Sequence, residues 1–200
     1  MSRSRIGGWA IGVDFGGTNI KAGLIHPSGR VAATEVLPAA AFGRPSRFVE
    51  GVAAAAGRLL QAAGLTRAQL RGIGVGAPGP VDAERGIVHT LVNVPGWREV
   101  PLARLLTRRL RCLCRVDNDV NLVALGEWRF GAGTGSRHLI CLTLGTGVGG
   151  GLVLDGRLYR GTGGAAGELG HMVLDPAGPR CGCGRRGCFE TLVNARAVVG

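Results

Sequence analysis

The chain has 200 residues, 37 of them glycine and 9 proline, a proportion close to that of low-complexity segments. Yet 46% are hydrophobic and only 18% charged, with mean hydropathy +0.22, so enough apolar surface can be buried to offset ordering entropy and disorder is excluded. The net charge is +11, but arginines spread along the chain and 4% aromatic residues argue against a nucleic-acid-binding face.

In chain order, Trp9 to Val13 reads as a short buried strand, followed by strands at Asn19 to Ile25 and Val31 to Val36. Tight glycine turns between them predict an antiparallel start. From Pro45 to Ala63 the pattern is helical, with Phe48, Val52, Leu59 and Leu60 among alanines and Gly64 closing it. Gly72 to Gly76 is the next strand. A helix is expected from Pro101 to Leu110, a strand near Cys114 to Val116, and a helix from Val120 to Trp128. Leu139 to Leu144 and Gly151 to Leu154 read as a strand pair around a glycine loop. Mixed strands and helices place the chain in the α/β class.

The apolar stretch after Arg3 and Arg5 is interrupted by Gly12 and ended by Asp14, too short for a signal peptide, and no run is long enough for a membrane span. A cytoplasmic location is therefore expected. There, six cysteines favour thiols or metal ligands over disulfides.

Four clusters carry the chemistry. Asp14-Phe15-Gly16-Gly17-Thr18-Asn19-Ile20-Lys21 lies between two strands, unlike a P-loop, which opens a helix. Such a turn suits phosphate oxygens through bare amides and a hydroxyl, and Asp14 suits magnesium; an ordinary hairpin is the other reading. Gly145-Thr146-Gly147 repeats the design, and two matched turns suit one polyphosphate. Asp117-Asn118-Asp119-Val120-Asn121 sits at a strand-to-helix junction. It reads as a helix N-cap or as a general base with hydrogen bonds to a polyol. His171 with Cys181, Cys183 and Cys188 matches a closed Cys₃His zinc site. Disulfide or unliganded thiols are the weaker readings. Cys112, Cys114 and Cys141 are expected to be buried structural thiols on strands.

The ordered set of these motifs resembles the ROK family of bacterial sugar kinases and repressors. The resemblance runs from Ile11 to Glu190. It includes Gly76-Ala77-Pro78-Gly79, Asn93-Val94-Pro95-Gly96-Trp97, Gly167-Glu168-Leu169-Gly170-His171 and the C-x-C-G-x-x-G-C-x-E pattern from Cys181 to Glu190.

It implies the actin-like, ribonuclease H-like ATPase fold of sugar kinases. An N-terminal α/β lobe over residues 1–118 would carry the first phosphate turn. Residues 119–200 would begin a second lobe, incomplete here, with the second turn and the zinc loop. The implied activity is ATP-dependent phosphorylation of a hexose at its 6-hydroxyl, glucose first. N-acetylmannosamine or N-acetylglucosamine is the alternative substrate, and a sugar-sensing regulator or a zinc-braced binding module the alternative without chemistry.

Asp119 would be the catalytic base. Asn93, Asn118, Glu168, His171 and Glu190 would bind the sugar. Gly16, Gly17, Thr18, Lys21 and Gly145 to Gly147 would hold ATP phosphates, and Asp14 would serve Mg²⁺. A structural zinc ion would sit on His171, Cys181, Cys183 and Cys188, with the second histidine nitrogen facing sugar. Partners are the hexose, ATP and a second copy in a full-length homodimer, with neither nucleic acid nor membrane. Family members continue beyond the zinc motif, so a fragment or truncated protein is expected. The thirteen residues before Asp14 are too few for a repressor's helix-turn-helix domain.

Overall fold

The computed structural model describes residues 8–91, 94 and 96–194. They fall into two compact units, the first ending at Asp119 and the second starting at Val120.

The first unit is built on a five-stranded sheet. β1 (Trp9–Phe15) alternates, burying Ile11, Val13 and Phe15, and β2 (Asn19–Ile25) buries Ile20, Ala22 and Leu24 in the same way. This period of two is the pattern of a sheet with one face in a core. β3 (Val31–Pro38) extends the meander on one side; β4 (Leu70–Ala77) and β8 (Leu113–Asn118) add parallel strands on the other, giving the order β3-β2-β1-β4-β8. The strands expected from sequence are present, and β4 and β8 extend beyond their expected ends.

Two helices cover the core face. α1 (Pro45–Ala62) buries Phe48, Val49, Val52, Ala55, Ala56, Leu59 and Leu60 along one stripe, as 3.6-residue periodicity requires. α2 (Leu102–Leu110) buries Leu102, Leu106 and Leu110, each four residues apart. Phe15, Phe48 and Trp97 form an aromatic cluster. Phe15 stacks on Phe48 at 4.5 Å, and Trp97 lies 5.1 Å from Phe15 and 5.4 Å from Phe48. A small second sheet, β5 (Val81–Asp82), β6 (Ile87–Thr90) and β7 (Arg98–Val100), lies between β4 and α2 in the chain. The sequence reading missed it, because strands of two to four residues leave too short a run to show a period.

α3 (Asp119–Phe130) starts at the last residue of the first unit. The second unit adds β9 (Leu139–Leu144), β10 (Val148–Leu154) and β11 (Arg157–Tyr159) as an antiparallel sheet. The glycine loop is shorter than expected. Val148, Gly149 and Gly150 already belong to β10 ahead of the expected start at Gly151, and only Gly145–Gly147 form the turn, with Val148 opposite Leu144. The reason is packing: a Cβ at Gly149 would come within 2.5 Å of the Val120 Cγ2, and one at Gly151 within 2.6 Å of the Ala124 Cβ, so a bare backbone lets α3 rest on the strand. A 3₁₀ turn (Leu169–His171) and the short α4 (Phe189–Val193) complete the unit.

One expectation about the other cysteines is corrected. Cys114 is buried on β8, but Cys112 precedes that strand and is only half-buried, as is Cys141 on β9. Cys112 sits where the chain leaves the α2 C-cap, before ladder pairing begins at Leu113.

Candidate active site and metal centre

In the first unit, the site residues gather at the C-terminal ends of the parallel strands, the usual place for ligands in such sheets. Asp14 at the end of β1 pairs with Lys21 across the hairpin and with Gly76 across the parallel ladder. Gly76 in turn pairs with Asp117, and Ala77 with Asn118. Asp14, Gly76 and Asp117 therefore form one row across three strands. Asp14 and Lys21 are exposed, whereas Asp117 is 6% exposed. Asp117 accepts a hydrogen bond from the Asn118 amide at 2.8 Å, and the Asn118 side chain donates to the Gly79 carbonyl at 3.3 Å. The Gly76-Ala77-Pro78-Gly79 segment and the Asn118-Asp119 pair are thus one local structure. Gly16, Gly17 and Thr18 make the β1–β2 turn, anchored where the Ala39 amide donates to the Thr18 carbonyl at 3.0 Å. Asp119 opens α3. Asn93 lies outside the described residues.

In the second unit, the remaining residues collect around a thiol cluster. His171, Cys181, Cys183 and Cys188 bring one ligand atom each within 4.8 Å of one another. The Cys183 and Cys188 sulfurs are 3.6 Å apart, and His171 Nδ1 is 3.6 Å from the Cys181 sulfur. Thiolates at about 2.3 Å from a tetrahedral ion stand roughly 3.7 Å apart, so this donor set fits one such ion. Backbone bonds fold the loop beforehand: Cys181 N donates to Arg185 O and Gly187 N to Pro179 O, both at 2.8 Å. The Arg185 amide and guanidinium hold the Cys183 thiol down at about 6, whereas burial pushes Cys181 up to about 12 and raises Cys188. A thiolate is the ligating form, so Cys183 is charged at neutral pH before any ion arrives.

The two ring nitrogens of His171 point to different groups. Nδ1 faces the thiols, while Nε2 lies 3.7 Å from the Glu168 carboxylate. Glu190 on α4 stands 2.9 Å from the Cys181 sulfur and 3.5 Å from His171 Nδ1. Its other oxygen lies beneath the second glycine turn, where a Cβ at Gly147 would be only 2.8 Å away. The cluster, Glu168, Glu190 and the Gly145–Gly147 turn with Thr146 are therefore neighbours, a link that sequence spacing does not reveal. The role of Arg185 was also missed, although its place two residues after Cys183 was a visible signal.

The ROK family model matches residues 10–199. The chain belongs to the ROK family. It is 38% identical over 191 residues to the glucokinase of Halalkalibacterium halodurans, covering 95% of this chain and 58% of that protein. The ROK hexokinase structure from Thermus thermophilus matches with a TM-score of 0.83 at 40% identity, covering 95% of this chain and 61% of that one. A ROK family glucokinase from Streptomyces griseus, solved with glucose and AMPPNP, matches with a TM-score of 0.80 at 39% identity, covering 96% and 59%. The xylose repressor of Bacillus subtilis is 36% identical over 130 residues, 65% of this chain and 33% of that protein. The fold is that of ROK sugar kinases, the actin-like ATPase architecture that the motifs imply. This chain spans 58% of the length of the glucokinase it matches.

Proposed function

We propose that this ROK chain is part of an ATP-dependent hexokinase that phosphorylates the 6-hydroxyl of a hexose, with glucose the first substrate. The observation that carries the reading is Asn118 bonded to Gly79 at the end of the Asp14–Gly76–Asp117 row, with Asp119 next to it opening α3. It keeps an acid and an amide at the strand ends where this class of sheet binds ligands. Glucokinase relatives at this identity support the same choice.

Asp119 takes the proton from the sugar 6-hydroxyl as that oxygen attacks the γ-phosphorus. The new O–P bond forms while the bond to the bridging oxygen of ADP breaks, and the proton leaves Asp119 for solvent. Phosphoryl transfer asks the protein mainly for positioning and charge stabilisation. Gly16, Gly17, Thr18, Lys21 and Gly145 to Gly147 supply amides, hydroxyls and one ammonium to phosphate oxygens. Asp14 offers an exposed carboxylate oxygen that fits Mg²⁺, which neutralises phosphate charge when bound. Asn93, Asn118, Glu168, His171 and Glu190 orient the ring hydroxyls. His171 has an Nε2 directed away from the thiols and available to sugar, with Glu168 beside it.

The ligand set fits zinc, and four protein ligands would leave it no open position, so its role would be structural. Held by His171, Cys181, Cys183 and Cys188, such an ion would fix the His171 ring by one nitrogen. The full-length protein is a cytoplasmic homodimer in this reading. Among the described residues no helix is long and apolar enough to cross a membrane.

The xylose repressor relative favours a second reading, a regulator that senses sugar without phosphorylating it. An ADP-release assay on the full-length protein, over glucose, mannose, N-acetylglucosamine and N-acetylmannosamine, separates the readings. Turnover of glucose that disappears in Asp119→Asn supports the kinase. Sugar binding without turnover establishes the regulator.

A further inference from the structure

The first unit carries a second concentration of charge that the kinase reading does not use. A cleft of about 920 Å³ opens over α1 and α2, and Arg67, Arg108, Arg109 and Arg111 all line it. Glu50 is its one acidic lining residue. Glu50 is fully engaged by Arg109, whose Nε and Nη2 donate to its two oxygens at 2.8 to 2.9 Å. Arg67, Arg108 and Arg111 are exposed and have no ion-pair partner among the described residues. Three uncompensated guanidinium groups thus share one concavity.

Two further features point the same way. Ser46 and Pro45, in the first turn of the 18-residue α1, also line the cleft. That helix start has no side-chain cap and no acidic residue, so its positive dipole end is uncompensated. Arg111 is the C-cap of α2 in the left-handed conformation, φ 50 and ψ 36, a position where glycine is the usual residue. An arginine kept there places a guanidinium in the cleft at a backbone cost.

We propose that this cleft binds a small ligand bearing two or more linked phosphate groups, at a site sharing no residue with the Asp14–Lys21 turn. The chemistry selects that class. Guanidinium forks match phosphate oxygens in pairs. No aromatic side chain lines the cleft, so nucleic-acid bases have no stacking platform. The apolar lining is limited to Pro45, Val49 and Leu105, too narrow a stripe to seat an amphipathic helix.

Inorganic tripolyphosphate, with sulfate as control, is the probe, titrated calorimetrically into the full chain. The wild type is expected to bind tripolyphosphate more tightly than sulfate, with affinity falling as salt rises. Arg108→Gln/Arg111→Gln is expected to lose about tenfold or more in affinity, while Arg98→Gln/Arg115→Gln, which removes equal charge elsewhere, leaves it unchanged. Two variants separate binding from folding. Arg111→Gly relieves the left-handed backbone yet deletes the guanidinium, so the melting temperature holds or rises while affinity falls. Glu50→Gln frees Arg109 and tightens binding. Equal losses in the two double variants would overturn the site, as would tripolyphosphate binding that Thr18→Ala abolishes, or no binding by the wild type.

Discussion

Asp14 and Asp117 are the two ladder neighbours of Gly76, which sets their backbones about 10 Å apart at one end of the sheet. They differ in exposure: Asp14 meets solvent, while Asp117 is buried and holds the Asn118 amide. The exposed acid can meet a cation, and the buried one fixes the strand end that presents Asn118 and Asp119. Asp14→Asn is therefore expected to weaken magnesium-dependent turnover with little change in melting temperature. Asp117→Ala is expected to lower the melting temperature itself, read by a thermal scan.

Asp119→Asn keeps the size of the side chain and removes its basicity. General-base assistance contributes about 10² to 10⁴ in rate, so kcat should fall by that factor while the KM for ATP stays close to wild type. A coupled ADP-release assay measures both. Undiminished turnover would assign the base elsewhere.

The thiol cluster makes a pH prediction. Cys183 is a thiolate above about 6, whereas the raised Cys181 and Cys188 hold their protons at neutral pH in the metal-free chain. Binding an ion must displace those two protons. Affinity should then fall as pH falls, by about a hundredfold per unit for two protons, in chelator competition at pH 6.5, 7.0 and 7.5. Cys183→Ser should abolish stoichiometric zinc and Cys112→Ser should leave it intact, by metal analysis. A flat pH dependence would contradict the thiol assignment.

Two glycine-to-alanine changes should move stability in opposite directions. Gly151→Ala drives a methyl against Ala124 and the Val120 carbonyl and should destabilise by about 1–3 kcal/mol. Gly57 lies inside α1, exposed, with nothing within 4 Å of an added Cβ. Gly57→Ala should stabilise by about 0.5–1 kcal/mol. Urea titrations of both variants give the comparison.

Legibility in the sequence followed the physical range of each signal. α1 and α2 were readable because Phe48, Val52, Leu102, Leu106 and Leu110 repeat at helical spacing, a property of the local chain. The thiol cluster was readable because three of its members fall within eight residues. The extent of β10 was not, because Gly149 and Gly150 look like loop until Val120 on α3 and Leu169 are known to lie against them. The closeness of Glu190 to Gly147 was equally hidden, since more than forty residues separate them and only the fold brings them together. The arginine cleft was hidden in part: the run Arg108-Arg109-Arg111 stands out in the sequence, but only the fold brings the distant Arg67 to it.

The aromatic cluster of the first unit has an optical consequence. Trp97 is 2% exposed, and its indole N–H has no hydrogen-bond partner among the described residues. Trp128 donates to the Ser136 carbonyl at 2.8 Å, and Trp9 sits beneath the Arg30 guanidinium. The three indoles therefore occupy three different dielectric settings, and Trp97 should emit furthest to the blue. Its neighbour Phe15 directly follows Asp14 in β1. Intrinsic fluorescence excited in the indole band thus supplies a label-free gauge of what happens at the strand ends.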